Sequence, residues 1–175
     1  ELDNSIKQIN AGLHDHQIVL FYIDIDNFRS VNDIYGHEAG DMLLQAVSLR
    51  LKENLPSEGL LARLSGDEFA MSFCVDHDFS FTENLAKRLI SSFRKPIYTG
   101  GYVFNTSLSI GITIYPQDGN DRIELLKNAD LSIYYAKEQA QGSYIFFHDI
   151  PKNLIHRKNE IAIQLRSADY DKEFE

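Results

Sequence analysis

The 175-residue sequence contains one cysteine, Cys74, and so cannot form an internal disulfide. A reducing, cytoplasmic setting is the expectation that follows, either as a free domain or as the cytoplasmic part of a membrane-tethered protein. No apolar run approaches the roughly 20 residues that a membrane helix needs, and the opening residues do not read as a charged-then-apolar leader. Positive charge is scarce: 17 Lys and Arg stand against 26 Asp and Glu, for a net charge of −9. Such a chain has no broad attraction for nucleic acid or an anionic lipid surface, so neither contact is expected of this segment. It can still hold phosphates where a cation mediates. Internal repeats and low-complexity segments are also lacking. The remaining composition is globular, 43% apolar, 25% charged and 11% aromatic, at a length that suits one domain with a real core.

Leu2, Ile6, Ile9 and Leu13 fall on a helical stripe, and QIVLFYIDID reads as a buried strand ending in acids. Leu44, Val47, Leu51 and Leu55 share a helical face ahead of Pro56, and LLARLSGDEFAMSFCV reads as two short strands about a tight turn. Leu85, Leu89 and Phe93 mark another helix. From Tyr102 to Tyr115 the alternation of Phe104, Thr106, Leu108, Ile110, Ile112 and Ile114 predicts one strand, with Gly111 marking a bulge or a close backbone approach. Ile123, Leu126, Ile133 and Ala136 predict a helix, and GSYIFF a closing strand. Helices interleaved with an antiparallel hairpin argue an α/β (α+β) sandwich, with helices covering a mixed sheet. The charged tail, with Ile161, Leu165 and Ala168 as its thin apolar stripe, suits a connector helix leading to a further domain.

Three clusters carry chemistry. In YIDIDNF, Asp24 and Asp26 fall on one side of a strand end, where two carboxylates repel unless a cation or a helix N-terminus compensates. Asp26 or Asn27 could simply cap the next helix, whereas Asp24 suits Mg²⁺, which takes hard oxygens and completes its octahedron with water and phosphate. In RSVNDIYGHEAGDM, Asn32, Asp33, His37 and Asp41 recur with Gly36 and Gly40 between them. Asn and Asp together can read a guanine edge, but they are also ordinary helix-boundary residues, and His37 reads as structural. In SGDEF, Asp67 and Glu68 are either a hairpin tip or, set against the first acid pair, the second half of a metal-assisted phosphoryl-transfer site.

DIDNFRSVNDIYGHEAGD, ARLSGDEFA, SLSIGITIYPQDG and NADLSIYYAK, in that order, closely resemble the GGDEF domain of diguanylate cyclases over residues 17 to 147. The usual leader LTGLPNR is absent, and LRSADYDKEFE looks like the opening of an EAL phosphodiesterase domain. The resemblance therefore implies a GGDEF domain over residues 1–149, then a connector and the start of an EAL-like domain over 150–175. It implies a nucleotide-cyclase or polymerase-palm fold, a ferredoxin-like core whose five-stranded mixed sheet is wrapped by helices. It further implies that two GTP are condensed to cyclic di-GMP with Mg²⁺ or Mn²⁺ by an antiparallel homodimer. On this chain Asp24, Asp67, Glu68 and the Ile25 carbonyl match the metal-binding groups, with Asp67 and Glu68 as the catalytic acids. Asn32 and Asp41 match the guanine readers. Phe28, Arg29, Arg63, Ser65, Gly66 and Lys137 fall where the family surrounds the phosphates.

Four departures bear on turnover. Ser65 replaces the first glycine of the signature; were that position to need φ > 0, serine would cost about 1 kcal/mol there, and its Cβ would narrow the gap beside the phosphates. AKEQAQG stands where the family has AKxxGRN, so Ala140, Gln141 and Gly142 replace Gly, Arg and Asn. The lost arginine removes a charge-assisted phosphate contact worth roughly 1.5–3 kcal/mol. Arg29 replaces a lysine, keeping the charge but changing its geometry. The RxxD of the family's product-inhibition site falls on Pro56 to Gly59, so feedback there is not expected. These departures imply reduced turnover, or a GTP-binding domain that regulates an attached EAL phosphodiesterase.

Overall fold

Strand β1 (Gln17–Ile25) is the middle of a five-stranded sheet, and its run of β-branched and aromatic residues reflects cover on both faces. The computed structural model describes residues 2–11, 16–76 and 79–155. In chain order the other elements are α1 (Leu2–Asn10), α2 (Phe28–Tyr35), α3 (His37–Glu53), β2 (Leu60–Ser65), β3 (Glu68–Val75) and α4 (Ser80–Phe93). There follow β4 (Ile97–Thr99), β5 (Tyr102–Phe104), β6 (Leu108–Tyr115), α5 (Arg122–Gln139) and β7 (Tyr144–Phe146), which leads into a 3₁₀ turn, Phe147–Asp149. The sheet order is β2-β3-β1-β6-β7, antiparallel except for the parallel β6–β7 pair, so the sheet is mixed as expected.

The two faces of β1 feed two cores. Val19, Phe21, Ile23 and Ile25 join Leu43, Val47 and Leu51 of α3 and Leu85, Leu89 and Phe93 of α4. On the other face, Ile18 and Leu20 pack with Ile6 of α1 and with Leu125 and Ala129 of α5, and Tyr22 lies against the same cluster. α5 presses hard on the sheet at Gly111, where a Cβ would lie 2.0 Å from the Ala129 carbonyl oxygen. The close approach predicted at Gly111 is therefore present, and the β1–β6 register runs through it without a bulge.

The helix expected from Ile123, Leu126, Ile133 and Ala136 is present as α5, though its buried face is not that set, and one expected strand is two. The buried face of α5 is Leu125, Ala129, Ser132, Ile133 and Ala136, while Ile123 is 70% exposed. Asp121 sets this rotation: its carboxylate caps the helix by accepting from the Glu124 amide at 2.8 Å, which leaves Ile123 in a first turn clear of the sheet. The stretch 102–115 is two strands, because β5 pairs with β4 in a separate hairpin. Thr106 breaks the run by turning its hydroxyl to the Asp26 carbonyl at 3.0 Å, and β6 beyond it is buried at every position, on both faces. Of the tail, residues 152–155 are helical. Ile161, Leu165, Ala168 and the EAL-like stretch lie outside the described residues, as does Leu13.

Candidate functional site

The acids meet where β1 ends and the β2–β3 hairpin turns. Ser65 and Glu68 close the hairpin as its last cross-strand pair, leaving Gly66 and Asp67 as the turn. Gly66 supplies the positive φ of 44°, whereas Ser65 is in ordinary strand conformation. The strain considered for a serine at this place does not arise. The Asp67 carbonyl accepts from the Ile25 amide at 3.3 Å, which pins the hairpin tip to the end of β1. Asp24 stands directly opposite Glu68 in the antiparallel ladder, so the two carboxylates share a face of the sheet.

Asp24 is largely buried, with 16% of its side chain exposed, and the Lys137 ammonium at the end of α5 lies 2.5 Å from its Oδ1. Burial pushes the Asp24 carboxyl above the usual range; Lys137 pulls it down, and the nearby charges of Asp67 and Asp26 push it up again. Glu68 accepts from the Ser65 hydroxyl at 2.5 Å. The Tyr22 phenol, on the same side of β1 as Asp24, is pushed up to about 12 by burial first and then by the Glu68 charge. Arg63 clasps the same turn, its Nε donating to the Gly66 carbonyl at 2.9 Å.

Among the described residues, no three His, Cys, Asp or Glu side chains converge as a closed metal cage. The donor chemistry nevertheless fits Mg²⁺ or Mn²⁺, which accept a few carboxylate and carbonyl oxygens and fill the remaining positions with water and substrate phosphate. Asp24, Asp67, Glu68 and the Ile25 carbonyl are the groups that would hold such an ion.

The nucleobase candidates sit on α2 and α3. Gly40 lets the two helices close up: a Cβ there would fall 1.9 Å from Asn32 Oδ1 and 3.3 Å from the Phe28 ring. Asn32 is thereby laid against α3 at Gly40, the residue before Asp41. Asp41, Gln45, Ser48, Lys52, Arg63 and Phe69 line a groove of about 620 Å³ between α3 and the hairpin. A larger cavity of about 710 Å³, lined by residues such as His16, Cys74 and Phe81, opens at the far end of β1 and contains none of the predicted residues. The Phe28 ring is buried in the core, so only its backbone can face a ligand. The Arg29 side chain is 94% exposed and lies 4.0 Å from Asp33.

Two features were not legible in the sequence. Asp26 does not cap α2; Asn27 holds the cap position at φ 59° without a side-chain cap bond. Buried Asp26 instead accepts from Ser107 Oγ at 2.5 Å, Ser109 Oγ at 2.7 Å and the Gly142 amide at 2.9 Å, joining β1 to the entry of β6 and the α5–β7 turn. Gln141, where an arginine was expected, forms a reciprocal amide pair with Asn27 at 3.0 and 3.3 Å. The signal for Tyr22 is its place two residues before Asp24 on the same face of a strand.

A mixed sheet with carboxylates at the end of its central strand and at the adjoining hairpin tip defines a palm-like nucleotide-cyclase domain, the fold of its solved neighbours. Residues 1–143 match the family described as diguanylate cyclase, GGDEF domain, and the chain belongs to that family, the GGDEF domains of cyclic di-GMP signalling. The signaling protein YkoW of Bacillus subtilis is 39% identical over 137 residues, covering 78% of this chain and 17% of that protein. MucR of Pseudomonas aeruginosa, a bifunctional diguanylate cyclase/cyclic di-GMP phosphodiesterase, is 34% identical over 95% of this chain and 24% of its own length. The crystal structure of the GGDEF domain of TpbB (YfiN) from Pseudomonas aeruginosa superposes with a TM-score of 0.77 at 36% identity, covering 83% of this chain and 89% of that one. The chain thus spans under a third of the length of the curated relatives it matches. Among the described residues no helix is long and apolar enough to cross a membrane.

Proposed function

We propose that this domain binds GTP together with Mg²⁺ or Mn²⁺ and, as a homodimer, condenses two GTP to cyclic di-GMP with reduced turnover. The observation that carries this reading is the ladder pair Asp24–Glu68, with the Asp67 carbonyl tied to the Ile25 amide beside it. Asn32 and Asp41 hold the guanine, Arg63 and Lys137 meet the phosphates, and the α2 backbone at Phe28 and Arg29 borders the terminal phosphate. In each half-reaction a 3′-hydroxyl oxygen of one GTP bonds to the α-phosphorus of the other, diphosphate leaves, and the hydroxyl proton is released. When bound, the cation would neutralise phosphate charge and lower the pKa of the attacking hydroxyl. Asp67 and Glu68 orient and hold, from the hairpin, what Asp24 holds from the strand.

A second reading is favoured by Gln141, which is engaged with Asn27 where the family pattern supplies a cation. On that reading the domain binds GTP and tunes an attached EAL phosphodiesterase, which would begin within residues 150–175, after a GGDEF domain over 1–149. MucR's pairing of the two activities supports such a neighbour. Calorimetric titration with a non-hydrolysable GTP analogue and Mg²⁺ tests what both readings share. Asp67→Ala should weaken binding at least tenfold, and an unchanged affinity would exclude a metal role for this turn.

A further inference from the structure

Ser65 is exposed, unstrained and three residues from Glu68, and its hydroxyl donates to Glu68 Oε2 at 2.5 Å. The register shift between Arg63 and Ser65 makes this contact possible, because it sets Ser65 directly across from Glu68 as the last pair of the hairpin. Cross-strand partners project from one side of the ladder, within reach of a short hydroxyl. Glu68 is thus held by a donor from its own hairpin. An ionised carboxylate offers about four lone-pair sites on two oxygens, so a bond to Oε2 leaves Oε1 able to coordinate.

We propose that Ser65 is a positioning residue, whose hydroxyl fixes the Glu68 carboxylate on the face of the sheet it shares with Asp24. The proposal rests on the metal-site reading above and deepens it. A glycine at this turn carries no donor, so the glutamate would keep its side-chain freedom and ligand binding would have to order it. In this chain the ordering is built in before the ligand arrives. The serine therefore compensates, by a side-chain bond, for the space its Cβ takes up. Partners of this kind, which orient a ligating carboxylate without touching the ion, typically change metal affinity by about 10- to 100-fold when removed.

Mn²⁺ binding to the chain, followed by the electron paramagnetic resonance of free Mn²⁺ in the presence of a non-hydrolysable GTP analogue, tests this without reference to turnover. Ser65→Ala and Ser65→Gly should each weaken Mn²⁺ binding about tenfold, with the melting temperature unchanged. Ser65→Thr, which keeps the hydroxyl, should restore the wild-type affinity. Wild-type affinity in Ser65→Ala, or a threonine variant no better than alanine, would overturn the proposal while leaving the metal site standing. A wild-type chain that takes up no Mn²⁺ with the analogue would overturn the metal-site reading and this proposal together.

Discussion

The side-chain amides of Asn27 and Gln141 hold one another at 3.0 and 3.3 Å across 114 residues of sequence. The pair joins the start of α2 to the α5–β7 turn, beside Lys137 and the acids. On the proposed reading it places a neutral clasp where a guanidinium would make a charge-assisted phosphate contact. Gln141→Arg should therefore tighten binding of a Mg²⁺–GTP analogue about tenfold, with little change in stability. Unchanged or weaker binding in calorimetry would show that this turn does not face the phosphates.

Asp26 has three donors and almost no contact with solvent. Asp26→Ala strands two hydroxyls and the Gly142 amide, and should lower stability by on the order of 3 kcal/mol. Urea unfolding reads this as an earlier midpoint at unchanged slope. A loss of under about 0.5 kcal/mol would mean that water replaces the carboxylate at no penalty.

Gly40→Ala sets a methyl 1.9 Å from Asn32 Oδ1, on a side chain that can swing away. The fold should survive while Asn32, the proposed guanine reader, is displaced, so GTP-analogue binding should fall at least tenfold with a near-normal melting temperature. Retained affinity would remove Asn32 from the nucleotide site.

Asp118, far from the acids, is buried and accepts from the Ile114 amide at 2.9 Å, with the His148 ring 3.3 Å away. Burial pushes its carboxyl above the ordinary range, against the opposing pull of His148 and the Ile114 amide. The native state then binds more protons than the unfolded chain between the ordinary carboxylate pKa and the raised one. Asp118's contribution to stability accordingly falls as pH rises through that window, and is flat above it. Asp118→Asn lacks this term but keeps an acceptor oxygen. Denaturation curves from about pH 4 upward should show the variant gaining on wild type until the raised pKa is passed. A variant that loses ground to wild type as pH rises through that window would contradict the assignment.

Local pattern made the hairpin, the α3 face and the pairing of strand-end acids legible, because each is written within a few residues. The rotation of α5 was not, since Asp121's cap rather than the apolar count decides which residues face Gly111. The break at Thr106 and the three-donor seat of Asp26 depend on partners 80 to 116 residues apart, beyond any periodicity. Ser65 shows the same limit: its type raised the question of backbone strain, while its register with Glu68 answered a different one.

The most direct test is chromatographic detection of cyclic di-GMP from the purified domain at high protein concentration with GTP and Mg²⁺. The account predicts slow product formation that Asp24→Ala and Asp67→Ala each abolish. GTP binding with no cyclic di-GMP at any protein concentration would contradict the cyclase reading and leave the regulatory one.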